Sequence, residues 1–131
     1  MAFLSRYSSE ALSVLRIFSA LSFMSHGLQK LFSFPDSSRP AVELLSFMGF
    51  AGSLEVVGGF LLAIGLFSRP VAFILSGMMA VAYWTVHAPM SFYPMLNGGE
   101  AAMLFCFIFL YIACAGPGRW SVDALWCKRC A

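Results

Sequence analysis

Four long apolar stretches alternate with short polar ones along this chain. Residues 11–30, 49–67, 71–88 and 99–115 are dominated by Leu, Ile, Val, Phe, Ala, Met and Gly, while Pro, Asp, Asn and Arg collect between them. An apolar helix of about 20 residues is roughly 30 Å long, close to the hydrocarbon thickness of a bilayer. The pattern therefore predicts an all-α protein, a four-helix transmembrane bundle; its fourth span is short unless the preceding cap region is immersed. Pro35-Asp36-Ser37-Ser38 is turn chemistry. Pro40 is placed to open a helix, so residues 41–48 read as a short interfacial helix between spans one and two, or as the lead-in to span two. Ser68-Arg69-Pro70 reads as a tight turn that makes spans two and three an antiparallel hairpin. Pro89 stops the third span. Asn97-Gly98-Gly99-Glu100 reads as a helix start, with Asn97 as cap and Glu100 at the capping-box position. Gly116-Pro117-Gly118 ends the fourth span, and residues 119–131 form a tail. A cleaved leader is the rival reading of residues 11–30, but Arg16 interrupts the apolar core and no small-x-small site follows it.

Composition points the same way. The 131 residues are 60% hydrophobic and only 11% charged, against about 25% charged in an average soluble domain. Too few polar side chains exist to cover a globule, so the natural solvent is a lipid bilayer. A net charge of +2 and no basic run with interleaved aromatics give no basis for nucleic-acid binding. Arg6, Arg69, Arg119, Lys128 and Arg129 fall on one side of the predicted topology, with Arg16 near it; the other side has Lys30 and Arg39. This bias predicts both termini, and the tail, in the cytoplasm of a multi-pass inner-membrane protein.

That topology gathers polar residues at the outer end. His26, Gln29 and Lys30 close span one on one helix face, Glu55 lies in the second turn of span two, His87 ends span three, and Asn97 and Glu100 open span four. Charges within a membrane segment are costly unless paired, which makes the group a candidate polar cluster. Tyr83 and Trp84, one turn below His87, are candidate ligand-lining residues. Glu55 has Lys30, His26 or His87 as natural partners. Lys30 also suits a helix C-terminus, and Glu100 also suits a capping box. Arg16, the inner-leaflet charge, either snorkels to headgroups or forms an internal ion pair. Neither histidine has a recognisable metal-ligand motif around it, so no metal site is expected. Cys106 and Cys114 read as small apolar residues, and Cys127-Lys128-Arg129-Cys130 is a C-x-x-C without the βαβ setting that would make it a redox motif.

Arg16-x9-His26-Gly27-Leu28-Gln29-Lys30-Leu31-Phe32, Gly49-Phe50-Ala51-Gly52 with Leu54-Glu55-x-x-Gly58-Gly59, Gly65-Leu66-Phe67-Ser68-Arg69-Pro70 and Asn97-Gly98-Gly99-Glu100 together resemble the DoxX family of small bacterial membrane proteins, from about residue 15 to 120. The resemblance implies a four-helix protein of the inner membrane, in a family associated with quinone-linked oxidation, membrane oxidoreductase assemblies and thiol homeostasis. Arg16, His26, Gln29, Lys30, Glu55, Arg69, Asn97 and Glu100 match as positions; no catalytic role comes with them. The C-x-x-C lies outside the match and inherits nothing.

The expectation is an accessory or quinone-interacting subunit of a membrane oxidoreductase system, non-catalytic in itself. His26, Gln29 and Lys30 would donate to a quinone and Glu55 would relay protons. The sequence has no haem, flavin or iron–sulfur motif, so electrons would come from an external carrier or a redox partner protein. Two alternatives stand beside it: a transporter or small-molecule binder using the outer cluster, working as a homo-oligomer, and a membrane scaffold for a soluble redox enzyme.

Overall fold

A computed structural model describes residues 2–126, and the C-x-x-C at Cys127 and Cys130 lies outside the described residues. The described residues are all-α: α1 (Ala2–Ser5), α2 (Ser8–Phe32), α3 (Phe47–Ile64), α4 (Ser68–Ala82) continued by a π-helical turn (Tyr83–His87), α5 (Pro94–Asn97), α6 (Glu100–Ala115) and α7 (Val122–Trp126). Three helical segments, Ser8–Phe32, Phe47–Ile64 and Ser68–His87, are long and apolar enough to cross a membrane; α6 is apolar but shorter.

The four long helices form a closed ring. α2 packs chiefly on α3 and α4 chiefly on α6, while α3 against α4 and α2 against α6 complete the circuit. The α2–α3 seam is made by missing side chains. A Cβ on Gly27 would lie 2.7 Å from the Gly52 carbonyl oxygen, and one on Gly59 would lie 2.9 Å from Met24 Cβ, so the two backbones approach closely, as small residues allow in lipid. Across the ring, Phe23 of α2 meets Phe105 and Phe109 of α6 edge-on at 5.4 and 5.0 Å between centroids. These rings join Ala20, Leu62, Leu75 and Ile112 in a narrow core. Phe18, Phe60, Phe73 and Phe107 point outward. Apolar surface outside and polar anchors inside is what a hydrocarbon solvent favours.

Helix ends follow local chemistry. The Ser46 hydroxyl accepts from the Gly49 amide to start α3. Gly65, at φ 75°, ends it in a Schellman arrangement, with Leu66 N–H on Leu61 O and Gly65 N–H on Leu62 O.

Three local expectations are corrected. Residues 33–46 contain no helix. They fold back on the end of α2, where Val42 N–H donates to Lys30 O and the Gln29 side chain brackets the Asp36 backbone; these bonds occupy the chain that a helix from Pro40 would need. Ser68-Arg69-Pro70 is not the turn but the first turn of α4, where a proline costs no hydrogen bond. The turn is Gly65-Leu66-Phe67, and the Asp123 carboxylate caps α4 by accepting from the Phe67 and Ser68 amides at 2.9 and 2.8 Å. Finally, Asn97 ends α5 rather than capping α6, Gly99 is the residue before α6, and Glu100 is the first residue of α6 and exposed, so no capping box forms.

Candidate functional site

The π turn and the start of α6 frame a cavity. Ala88 N–H bonds to Tyr83 O, five residues back, which widens the helix by one residue; such π turns recur at functional sites. Beside it lies a cleft of about 420 Å³, lined by Ala80, Tyr83, Trp84 and Ala88 from α4 and the π turn, Phe92 and Pro94 from the following connector, and Met103, Cys106 and Phe107 from α6. Its size is within the roughly 300–1,000 Å³ of small-molecule sites. Trp84 stands edge-on to Tyr83, 5.6 Å between centroids. Trp84 and Phe107, 70% and 64% exposed, place the rim on the outer face of the bundle.

One wall of the cleft is tied to a polar knot centred on Asn97, which is buried. Its amide nitrogen donates to Ser91 O at 2.9 Å and to the Tyr83 hydroxyl at 3.4 Å. Its side-chain oxygen accepts from Gly99 N–H at 2.8 Å. Its backbone carbonyl lies 3.0 Å from His87 Nδ1. A carbonyl only accepts, so His87 carries a proton on Nδ1. A Cβ on Gly99 would lie 2.8 Å from each of Asn97 Oδ1, His87 Cβ and Tyr83 Cε2. The knot therefore closes over a glycine.

The predicted cluster divides. His87, Asn97 and Tyr83 come together in the knot. Lys30 and Glu55 form a separate ion pair, Nζ to Oε1 at 2.5 Å, in the α2–α3 seam, with Glu55 3% and Lys30 26% exposed. Glu55 Oε2 is buried without a hydrogen-bond partner among the described residues. Gln29 anchors the connector through Asp36, whose carboxyl is held below its ordinary value by hydrogen bonds from Ser38. His26 is exposed, edge-on to Phe105 at 6.0 Å, and Glu100 is exposed. Among the described residues no group of His, Cys, Asp and Glu could hold a metal ion.

The opposite end of the bundle holds polar chemistry that sequence reasoning missed. Arg16 is fully buried. It does not snorkel and makes no salt bridge among the described residues: Nε donates to Pro117 O at 2.7 Å, and the terminal nitrogens donate to the carbonyls of Leu62, Ala63 and Trp120. The guanidinium fork thus closes the C-terminal turn of α3 and ties it to the chain after α6. Arg69 does the same for α6, donating to the carbonyls of Ala113, Cys114 and Ala115. Ser13 receives the Trp120 amide, and Arg119 pairs with Glu10 at 2.9 Å. The Ser121 hydroxyl caps α7 through the Ala124 amide. The serine before Val122-Asp123-Ala124 was the available signal for that short helix.

A helical ring with apolar side chains outward, buried polar anchors at both ends and three helical segments of membrane-spanning length is a membrane protein of the α-helical class. The DoxX family matches residues 11–88, and the chain belongs to that family. It is 38% identical over 131 residues to an uncharacterised protein of Haemophilus influenzae, covering 96% of this chain and 98% of the relative. A second uncharacterised protein of the same organism is 28% identical, with 90% and 84% covered. No solved structure matches. The family match ends within the connector just after the π turn, whereas the first relative also spans the α6 wall of the cleft.

Proposed function

We propose that this protein is a multi-pass protein of the bacterial inner membrane with four spans and both termini in the cytoplasm, and that it holds a lipophilic quinone as an accessory subunit of a membrane oxidoreductase system. The whole chain acts as one membrane domain, with α6 as the fourth span. The observation that carries the ligand reading is the outward-facing apolar cleft with Tyr83 and Trp84 at its wall. A flat ring can enter from the bilayer past Trp84 and Phe107, stack on aromatic surface and leave an isoprenoid tail in lipid. The ligand groups expected from sequence, His26, Gln29 and Lys30, give way in this reading to Tyr83. Electrons come from a partner protein.

The test uses the protein in lipid nanodiscs with Trp120 and Trp126 replaced by Phe, leaving Trp84 as the sole tryptophan of the three. A short-chain quinone is expected to quench Trp84 emission saturably, and an excess of a non-quenching ring analogue should reverse it. Linear, non-saturating quenching, equal to that of a free tryptophan analogue in the same bilayer, would refute the cleft as a site.

A further inference from the structure

We infer that the Tyr83 hydroxyl is the hydrogen-bond donor that selects what enters the cleft, and that Asn97 is the positioning residue that keeps it a donor. The cleft then takes a flat ring through a ring carbonyl, in preference to a hydrocarbon ring of the same shape. This rests on the reading of the cleft as a ligand site.

The protons around Asn97 can be counted. Gly99 N–H can only donate, so the side-chain atom facing it at 2.8 Å is the amide oxygen. That fixes the orientation of the amide, and both of its N–H groups point the other way. One meets Ser91 O, which can only accept. The other meets the Tyr83 oxygen, which must therefore accept. A phenol that accepts from its neighbour keeps its own proton for another partner. No acceptor for that proton exists among the described residues, and Tyr83 lines the cleft. In an apolar surrounding an unmet donor is costly, and a ligand carbonyl satisfies it. His87 makes the arrangement rigid from outside the cleft: its Nδ1–H holds the Asn97 backbone carbonyl. Asn97 is 3% exposed, so water does not compete for its amide.

The probes are 2-methyl-1,4-naphthoquinone and 2-methylnaphthalene, a ring with and without carbonyls, titrated against the full chain in nanodiscs. The wild-type protein should prefer the quinone beyond the ratio set by membrane partitioning. Tyr83→Phe keeps the ring and removes the donor. It should cut quinone affinity about three- to tenfold, the worth of one hydrogen bond, and leave the hydrocarbon's affinity unchanged. Asn97→Asp turns a donor into an acceptor of the same shape. The Tyr83 proton then goes to the carboxylate, and the preference should fall as in Tyr83→Phe, whereas a purely structural loss would weaken both probes alike. Infrared spectra give a second readout independent of folding losses: one carbonyl band of the bound quinone should be lowered in wild type and should return toward its free position in Tyr83→Phe. If wild type binds neither probe saturably, the cleft reading itself fails. If both bind but the preference and the carbonyl band are the same in wild type and Tyr83→Phe, the cleft stands and the donor assignment is wrong.

Discussion

Arg16 shows how far a single residue can be read from sequence. Its depth in an apolar helix announced that something must satisfy it, but the partners lie 46 to 104 residues away and are backbone carbonyls. A carbonyl carries no sequence signature. Snorkelling and an internal ion pair are what the sequence offers, and among the described residues neither forms, although Asp123 caps α4. Arg16→Lys keeps the charge but cannot reach four carbonyls with a planar fork. It should lower stability by about 2–3 kcal/mol, read as a fall in the denaturation midpoint in detergent, while leaving the affinity of the remote cleft unchanged in the fraction that stays folded. Glu55 was legible for the opposite reason: its partner is an ionised side chain with a matching depth, and Lys30 meets it. Asn97 was legible as a polar residue at a helix boundary. Its role as a hub was not, because the short helix α5 turns it inward.

At the scale of elements, apolar length and glycine placement gave the four long helices to within a few residues. The connectors were harder. Prolines at 35 and 89 marked breaks correctly, but Pro40 opens no helix, because that connector is held by bonds back to the end of α2. The α2–α3 seam carries a directional prediction. Glu55 is nearly inaccessible and Lys30 reaches the surface. Lys30→Met strands a buried carboxylate and should cost about 3–5 kcal/mol. Glu55→Leu leaves an ammonium that can turn to water or headgroups and should cost less. The double replacement Lys30→Met with Glu55→Leu should recover much of the Lys30→Met loss. Equal losses from the two single replacements, with no recovery in the double, would contradict a seam governed by burial of the acid.

For the whole molecule, sequence composition identified the solvent, and the structure adds that both ends of the described chain meet at the arginine end, through Arg119 with Glu10 and the Trp120 amide with Ser13. The sequence placed nearly all buried polarity at the histidine end; the arginine end proves at least as polar. We propose from the charge bias that this end faces the cytoplasm. In a cysteine-free background, Ser37→Cys and Met90→Cys, both in exposed connectors, should react with a membrane-impermeant maleimide in intact spheroplasts. Leu125→Cys, 83% exposed at the other end, should react only after permeabilisation. The reverse pattern would invert the orientation, and labelling of Leu125→Cys together with both connectors in intact spheroplasts would remove the fourth span.

In the proposed function, the cleft between the π turn and α6 receives a lipophilic ring. The most direct measurement is photolabelling in native membranes with an azido-quinone, with adducts mapped by peptide mass spectrometry. Adducts should concentrate on the segments carrying Tyr83, Trp84, Met103 and Phe107 and be abolished by excess unlabelled quinone. Adducts spread over outward residues such as Phe18, Phe60 and Phe73, undiminished by competitor, would contradict it.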